Sequence, residues 1–261
     1  MIVVTFNNSG GLVRTLDSIR ALDYKEKETI VIDGGSTDNS RDVMAANSDI
    51  IDVGISERDS GIYNAMNKGL GYATGDYVVF MNAGDMFADK NTLNVVSRYE
   101  GDIIMGGETY GGKLRTVKPG MTLYDVISVG LNHQAVYYRH EIIQKYGFDE
   151  SYRLIADFKS VVEPMAKEQA AFTSITEVLA ICEGGGVSQQ RWRDTLVERR
   201  KIVREVVLPY YRDDYVRFAD INNEMLAHFI VISQFRKLFP LIKAISRVAK
   251  LINKHLKHIP I

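Results

Sequence analysis

Single carboxylates stand where apolar, β-branched runs of this 261-residue sequence end. Asp33 closes the run Thr29–Asp33 and precedes two glycines, and Asp85 follows the run Tyr77–Asn82 after a short turn. In an open α/β sheet, ligands bind outside the carboxyl ends of the strands, so these carboxylates would meet at one edge. A carboxylate there accepts hydrogen bonds from a ribose or base, or ligates a hard cation beside a phosphate.

Two further carboxylates stand at predicted helix starts. Asp59 lies in the turn before a helix that begins near Ile62, and Asp157 follows an extended segment and begins another helix. The N-terminus of a helix is a favourable place for a diphosphate, and a carboxylate at a reaction centre can accept a proton. The structural alternative for both residues is a helix N-cap, a position that Asp favours.

Smaller polar side chains complete the candidate set. Thr5 and Asn7 stand at the end of the first strand, and His133 and Gln134 directly precede a strand. Thr5 and Asn7 are placed to contact a base. The alternatives are an N-cap for Asn7 and a purely structural role for His133.

Alternating strands and helices in the first 85 residues predict a parallel sheet that is covered on both faces. The strands are predicted over Ile2–Phe6, Thr29–Asp33, Asp49–Val53 and Tyr77–Asn82. Helices are predicted over Leu12–Leu22, Arg41–Ala46 and Ile62–Ala73.

The remainder of the chain is predicted to complete the sheet and then to become helical. Its predicted strands are Ile103–Gly107, Ala135–Arg139, Phe172–Ile175 and Val178–Cys182, with a helix over Phe158–Glu168. The pattern is helical from Trp192 onward. We therefore expect an α/β domain over residues 1–190 and a helical extension over residues 191–261.

The composition excludes some classes of protein. A formal net charge of −1 provides no basic field, so no nucleic-acid partner is expected. Cys182 is the sole cysteine, which rules out a disulfide within the chain and suits a reducing cytoplasm. We expect it to be a buried strand residue rather than a nucleophile. The sequence shows no secretory leader and no apolar run of about 20 residues, so a cytoplasmic location is expected.

The ordered motifs resemble the inverting, family 2 glycosyltransferases of the GT-A fold, and bacterial members that build exopolysaccharide, colanic-acid-like or O-antigen units in particular. The resemblance covers about residues 2–190. The matching segments are Val4–Asn8, Val31–Asp38, Ser56–Glu57, Asp59–Tyr63, Ala65–Gly69, Phe80–Asp85, Asn132–Val136, Ala156–Asp157 and Gly185–Ser188.

This resemblance implies a role for each candidate residue. Asp157 would be the catalytic base, and Asp85 would ligate Mg²⁺ or Mn²⁺. The remaining candidates would bind the nucleotide or donor sugar: Thr5, Asn7, Asp33, Asp59, His133 and Gln134. The chain departs from the family's Asp-x-Asp metal motif, because Asn82 and Gly84 stand where carboxylates often occur.

The resemblance also implies an activity. A hexosyl or N-acetylhexosaminyl group would pass from a nucleotide diphosphate sugar, with UDP as the expected nucleotide, to a lipid-linked or growing saccharide. Two alternatives remain. A non-catalytic, membrane-associated scaffold or carbohydrate-binding protein would fit the reduced metal motif. A sugar nucleotidyltransferase fits less well, because Asn7–Gly11 does not match the glycine-rich loop of that class.

The C-terminal segment, residues 241–261, has a separate pattern. Five cationic residues step by three and four, and apolar residues repeat at the same spacing on another face. A cationic amphipathic helix of this kind binds an anionic membrane surface. The alternatives are packing on the chain's own domain and formation of a homodimer. A membrane contact would place the enzyme on the inner face of the cell membrane.

Overall fold

The computed structural model describes residues 1–186 and 190–210. The chain divides into two compact units, Met1–Pro209 and Tyr210–Ile261. The predicted amphipathic segment, residues 241–261, lies outside the described residues. The predicted domain division at residue 190 stays a prediction.

The first half of the domain forms the predicted parallel sheet, in which four strands lie in the order β3-β2-β1-β4. Short connections join these strands through three helices, as the alternating pattern indicates. The strands are β1 Ile2–Thr5, β2 Ile30–Asp33, β3 Val53–Ser56 and β4 Tyr77–Asn82, and the helices are α1 Ser9–Arg20, α2 Ser40–Ala46 and α3 Ile62–Leu70.

The predicted position of β3, Asp49–Val53, is wrong: the strand runs from Val53 to Ser56. Asp52 holds the start of β2 instead, because its carboxylate accepts a 2.7 Å hydrogen bond from the Thr29 N–H. Pairing with β2 then aligns Ser56 with Asp33. The later start of β3 therefore places a hydroxyl beside the first candidate carboxylate.

The second half extends the sheet on the far side of β4, in the order β4-β8-β6-β9-β5, with β7 paired to β6. Strand β8 is antiparallel to both β4 and β6, and β9 is parallel to β6. The strands are β5 Met86–Phe87, β6 Ile103–Tyr110, β7 Lys113–Arg115, β8 Val136–Arg139 and β9 Phe172–Cys182.

Helices and turns surround these strands. A 3₁₀ turn, His133–Ala135, directly precedes β8, and a π-helical turn, Val203–Val207, follows the last described α-helix. The helices are α4 Thr92–Val96, α5 Leu123–Val129, α6 His140–Tyr146, α7 Ala156–Glu168 and α8 Trp192–Ile202.

Two strand predictions in this half need correction. The segments predicted as separate strands, Phe172–Ile175 and Val178–Cys182, form the single strand β9, whose register with β6 shifts between Met105 and Glu108. Strand β6 continues to Tyr110, beyond the predicted end at Gly107, because its last residues pair with β7 as well as β9.

The core consists of the apolar faces of the sheet and the helices that cover it. Leu12, Leu16 and Ile19 of α1 are completely buried, as their helical spacing predicts. Helix α3 approaches β1 so closely that a Cβ on Gly69 would lie 2.5 Å from Ile2 Cγ2. Cys182 is buried, and burial raises the pKa of its thiol, which agrees with the structural interpretation.

The last described helix packs on the α7 side of the domain. The Glu198 carboxylate accepts hydrogen bonds of 3.1–3.2 Å from the backbone N–H groups of Arg153, Leu154 and Ile155, just before α7 begins. The Tyr152 hydroxyl donates to Glu205 at 2.8 Å. In the part of the chain that the structure describes, no helix has the length and apolar character needed to cross a bilayer.

Candidate active site

The turn after β4 is held from behind by helix α1. Thr15 is completely buried, and its hydroxyl lies 2.7 Å from the Asp85 carbonyl oxygen while it accepts a 2.9 Å hydrogen bond from the Gly84 N–H. The Asn8 amide donates to the Ala83 carbonyl at 2.7 Å. Because these contacts satisfy the backbone of the turn, the turn presents Asp85 in a fixed position.

Asp85 is a buried carboxylate with two nearby donors. The Gln134 amide donates to one oxygen at 2.6 Å, and the Glu183 backbone N–H donates to the other at 3.1 Å. Burial raises the pKa of Asp85 above its usual range, and the two hydrogen bonds oppose the shift. The structure thus brings Gln134 into direct contact with Asp85, while the predicted roles of the two residues stay predictions.

His133 connects the end of β4 with the start of α7. Its Nδ1 lies 2.9 Å from Asp157 Oδ2, and its Nε2 lies 3.3 Å from Asn82 Oδ1. The ring is buried, so both contacts are shielded from water. His133 therefore fixes the position of the Asp157 carboxylate relative to the β4 turn.

Asp157 lies in the first turn of α7, but the N-cap position belongs to Ile155. The other Asp157 oxygen, Oδ1, accepts hydrogen bonds from the Tyr63 hydroxyl at 3.1 Å and the Phe158 N–H at 2.9 Å. Burial and the neighbouring Asp157 charge raise the pKa of the Tyr63 phenol, so Tyr63 remains a donor. The carboxylate is held from three sides, and the Phe158 N–H is one of the amide groups that the first turn of α7 leaves without a partner inside the helix.

A first cavity of about 690 Å³ lies at the carboxyl ends of β1, β2 and β4, and we call it the donor-side cavity. Thr5, Gly34, Asp59 and Asn82 are among its lining residues. The Thr5 hydroxyl is buried in this wall and has no hydrogen-bond partner. A buried hydroxyl without a partner is costly and is rare in folded proteins.

Asp33 and Asn7 shape this cavity from outside its lining. Asp33 is fully buried, and its carboxylate accepts hydrogen bonds from the Ser36 N–H and hydroxyl and, at 2.5 Å, from the Ser56 hydroxyl. Asn7 accepts a 2.8 Å hydrogen bond from the Thr37 N–H. The helix cap is Asn8 rather than Asn7, since the Asn8 side chain accepts from the Gly11 N–H.

Asp59 lies directly in the donor-side cavity. Its Oδ1 accepts a 2.9 Å hydrogen bond from the Gly61 N–H, and Gly61, not Asp59, is the N-cap of α3. Its Oδ2 approaches Gly34 so closely that a Cβ on Gly34 would lie 2.5 Å away. The glycine after Asp33 therefore makes room for the Asp59 carboxylate.

A second cavity of about 760 Å³ lies on the other side of the His133 bridge, and we call it the acceptor-side cavity. It is lined by Asp157, Glu108, Asn132, Lys118, Arg199 and neighbouring residues. Glu108 is buried, and burial raises its pKa against the opposing effects of Arg115 and Asn132. Asn82 lines one cavity and Asp157 the other, so the Asn82–His133–Asp157 chain stands between them.

Several residues of this site carry no clear signal in the sequence. Tyr63 lies inside a recognised motif, but only the structure pairs it with Asp157. Glu183 directly follows β9, just as Asp85 closely follows β4. A carboxylate directly after a predicted strand is the sequence signal that could have identified Glu183. Glu108 and Arg199 lie in segments without a recognisable motif.

The described residues contain no cluster of three or more His, Cys, Asp or Glu side chains that could enclose a metal ion. Asp85 and Glu183 are nevertheless neighbours, and the Glu183 carboxylate lies against Gly84 and pairs with Arg14. A cation here would need further oxygen ligands from a bound diphosphate or water.

An α/β sheet with a cavity at the carboxyl ends of its strands is the arrangement in which open α/β proteins bind their ligands. The model of the family described as "Glycosyl transferase family 2" matches residues 1–146, more than half of the sequence. The chain belongs to this family. A glycosyltransferase of PGL/p-HBAD biosynthesis from Mycobacterium bovis is 30% identical over 172 residues, which cover 60% of this chain and 66% of that protein.

Solved structures share the fold. A fragment of TarS from S. aureus in complex with UDP has a TM-score of 0.64 at 18% identity, over 82% of this chain and 68% of that one. The mannosyltransferase PcManGT from Pyrobaculum calidifontis, in complex with GDP-Man and Mn²⁺, has a TM-score of 0.61 at 19% identity. The match covers 98% of this chain and 85% of that one. The expected GT-A fold is confirmed.

Two buried threonines give opposite predictions for stability. Thr15→Val removes the hydroxyl that serves Gly84 and Asp85, so we expect a loss of about 1–3 kcal/mol in the free energy of unfolding. Thr5→Val removes a hydroxyl without a partner, so stability should stay unchanged or rise. Urea denaturation of both variants measures the contrast. Equal losses would contradict the assignment of Thr15 as the support of the turn.

Proposed function

We propose that this chain is an inverting glycosyltransferase that transfers a sugar from a UDP-sugar to a saccharide or lipid-linked saccharide acceptor. One observation carries the proposal: the Asp157 carboxylate lines the acceptor-side cavity and is joined through His133 to Asn82, which lines the donor-side cavity. A general base so placed stands between a donor and an acceptor. The family and the bacterial glycosyltransferases similar to this chain support the same activity.

In the proposed reaction an acceptor hydroxyl oxygen attacks the anomeric carbon of the donor sugar. The new carbon–oxygen bond forms as the bond to the diphosphate oxygen breaks, and the diphosphate leaves with the electron pair. Asp157 Oδ2 or Oδ1 takes the hydroxyl proton. His133 and Tyr63 hold the carboxylate at the required angle, and this positioning contributes to the rate by fixing the reacting groups.

The donor nucleotide is assigned to the donor-side cavity. Thr5 offers a free hydroxyl, Asp59 offers a carboxylate at the start of α3, and the backbone after Asp33 and Asn7 forms the cavity wall. UDP is proposed because TarS, which shares the fold, is solved with UDP. GDP, which occurs in the PcManGT complex, is the competing nucleotide in the test.

A divalent cation, Mg²⁺ or Mn²⁺, is proposed at Asp85. Asp85 would hold it together with diphosphate oxygens and water, and Glu183, whose charge acts on Asp85, is a further carboxylate close by. The cation would offset the charge that develops on the leaving diphosphate. The protein's own contribution is to keep the Asp85 carboxylate in place through Gln134 and the Glu183 N–H.

A non-catalytic, carbohydrate-binding role is the alternative to this proposal, and Asp157 separates the two. Asp157→Asn should reduce sugar transfer, or donor hydrolysis in the absence of acceptor, by about 10²–10⁴-fold, because the amide cannot accept a proton. UDP affinity should stay within a few fold of the wild type. Asp42→Asn is the control, since Asp42 also occupies the first turn of a helix. Asp42 is exposed on α2 and is far from Asp157 in the sequence, so its substitution should leave the rate unchanged. A wild-type rate in Asp157→Asn would refute the assignment.

Cation binding should depend on pH through Asp85. Because burial raises the pKa of Asp85, a proton competes with the cation, and Mn²⁺-dependent UDP binding should weaken as the pH falls through that raised pKa. Gln134→Leu removes a donor that lowers the pKa, so the weakening should begin at a higher pH. Titration calorimetry with UDP and Mn²⁺ measures both curves.

Asp85→Asn serves as the reference for this experiment. It should lower Mn²⁺-dependent UDP affinity by about tenfold or more and remove the pH response in this range. Unchanged UDP binding in excess chelator would contradict a cation at Asp85 and would leave Arg or Lys side chains to neutralise the diphosphate.

We further propose that residues 241–261 hold the enzyme on the inner, anionic face of the membrane, close to a lipid-linked acceptor. The support is the sequence pattern of five cations beside an apolar stripe, each cation being worth about 1 kcal/mol near an anionic surface. The full chain should float with anionic vesicles at low salt, and a chain that ends at Pro240 should not. Equal flotation would favour domain packing or dimer formation instead.

A further inference from the structure

We propose that Arg199 binds an anionic group of the acceptor, so that the acceptor-side cavity selects a saccharide that carries a phosphate or carboxylate. This inference rests on the proposed function and adds the chemical class of the acceptor. It is carried by the position, burial and partners of Arg199 on helix α8.

The Arg199 side chain lines the acceptor-side cavity, and protein groups hold its guanidinium there. Its carbon lies 4.9 Å from the centre of the Phe158 ring, the residue next to Asp157, and its Nη1 is 3.4 Å from the Ile127 carbonyl oxygen. Gly130 makes room for the group, since a Cβ there would lie 2.6 Å from Nη2. The backbone at Gly130, with φ of +85°, also favours glycine.

Arg199 lacks the partner that a partly buried arginine normally has. Its Nε is buried without a hydrogen-bond acceptor, and among residues 1–186 and 190–210 no carboxylate forms an ion pair with it. Burial lowers the pKa of the guanidinium, and the more distant Asp157 charge only partly opposes this. An oxyanion in the cavity would supply the negative charge that the guanidinium lacks.

The other cations that line the cavity already have partners. Arg115 lies 3.8 Å from Glu108 and covers the Tyr110 ring, and Lys118 lies 2.7 Å from Asp125. The neighbour of Arg199 along the helix, Glu198, is directed to the backbone before α7 instead. Among the described residues that line the cavity, Arg199 is therefore the cation without a carboxylate partner.

The position of Arg199 relative to Asp157 explains how binding of an anionic group could serve the reaction. Asp157 and Arg199 line the same cavity from neighbouring helices, so an acceptor held at its anionic group by Arg199 can present a hydroxyl to the base. Glu108 and Asn132, which are bonded to each other at 2.9 Å, offer further polar atoms to a sugar. A guanidinium binds phosphate or carboxylate through paired N–H groups, so both anions suit it.

The test measures binding of three probes to the full-length protein saturated with UDP: α-D-glucose 1-phosphate, D-glucuronate and neutral methyl α-D-glucopyranoside. We expect at least one anionic sugar to bind about tenfold more tightly than the neutral one. The ratio between the two anionic probes distinguishes a phosphate from a carboxylate acceptor. Saturating UDP keeps the probes out of the donor-side cavity.

Arg199→Gln should remove this preference without changing the affinity for the neutral sugar. Arg199→Lys, which keeps the charge but loses the paired N–H groups, should retain part of it and serves as the test if the glutamine variant does not fold. Arg193→Gln is the control, because Arg193 lies on the same helix over an aromatic ring, Trp192, but does not line the cavity.

Anionic and neutral probes of equal affinity would overturn the inference, as would an equal effect of Arg193→Gln. UDP affinity and thermal unfolding of each variant verify that the protein is folded. A failure of the proposed function is recognised separately, because the wild type would then neither bind UDP nor hydrolyse a UDP-sugar. If the wild type binds UDP but shows no preference for the anionic sugars, only the role of Arg199 is contradicted and the proposed function is not.

Discussion

The antiparallel pairing of β8 with β4 is the constraint on which the site depends. Because the two strands run in opposite directions, the 3₁₀ turn before β8 stands at the carboxyl end of β4. His133 then meets Asn82, and Gln134 meets Asp85. The strands β6 and β9 run parallel to β4, so Glu108 and Glu183 arrive at the same edge.

This edge collects buried carboxylates, and their hydrogen bonds explain the arrangement around them. Isolated carboxylates would be costly to bury, so the buried Asp33 is paired with two serines and the buried Asp85 with Gln134, while the partly buried Asp157 is paired with His133 and Tyr63. The same donors that offset the cost of burial also fix the direction of each carboxylate. Structural stability and positioning of the proposed reaction therefore rest on the same contacts.

The groups left without partners stand in contrast to this satisfied network. The Thr5 hydroxyl lies in the wall of the donor-side cavity and Arg199 Nε lies beside the acceptor-side cavity, and both are buried without a hydrogen bond. Buried polar groups of this kind are rare in folded proteins. Among the described residues two further buried atoms lack a partner, Tyr137 Oη and His140 Nε2, and neither residue lines one of these two cavities.

The sequence by itself determined the parallel half of the sheet and the carboxylates at strand and helix ends, because hydrophobic periodicity and turn residues are local signals. The GT-A fold was expected from the resemblance of the ordered motifs to a known family, not from periodicity. It misplaced β3 and divided β9, because strand limits depend on pairing with a distant neighbour. Only the tertiary structure decided that Asn8 and Gly61 are the caps, that Asp33 lies behind the donor-side cavity, and that Tyr63 and His133 hold Asp157. The tertiary structure also placed Arg199, 42 positions after Asp157 along the chain, in the wall of the acceptor-side cavity that Asp157 lines. No local pattern encodes that approach, since it arises from the packing of α8 on the domain.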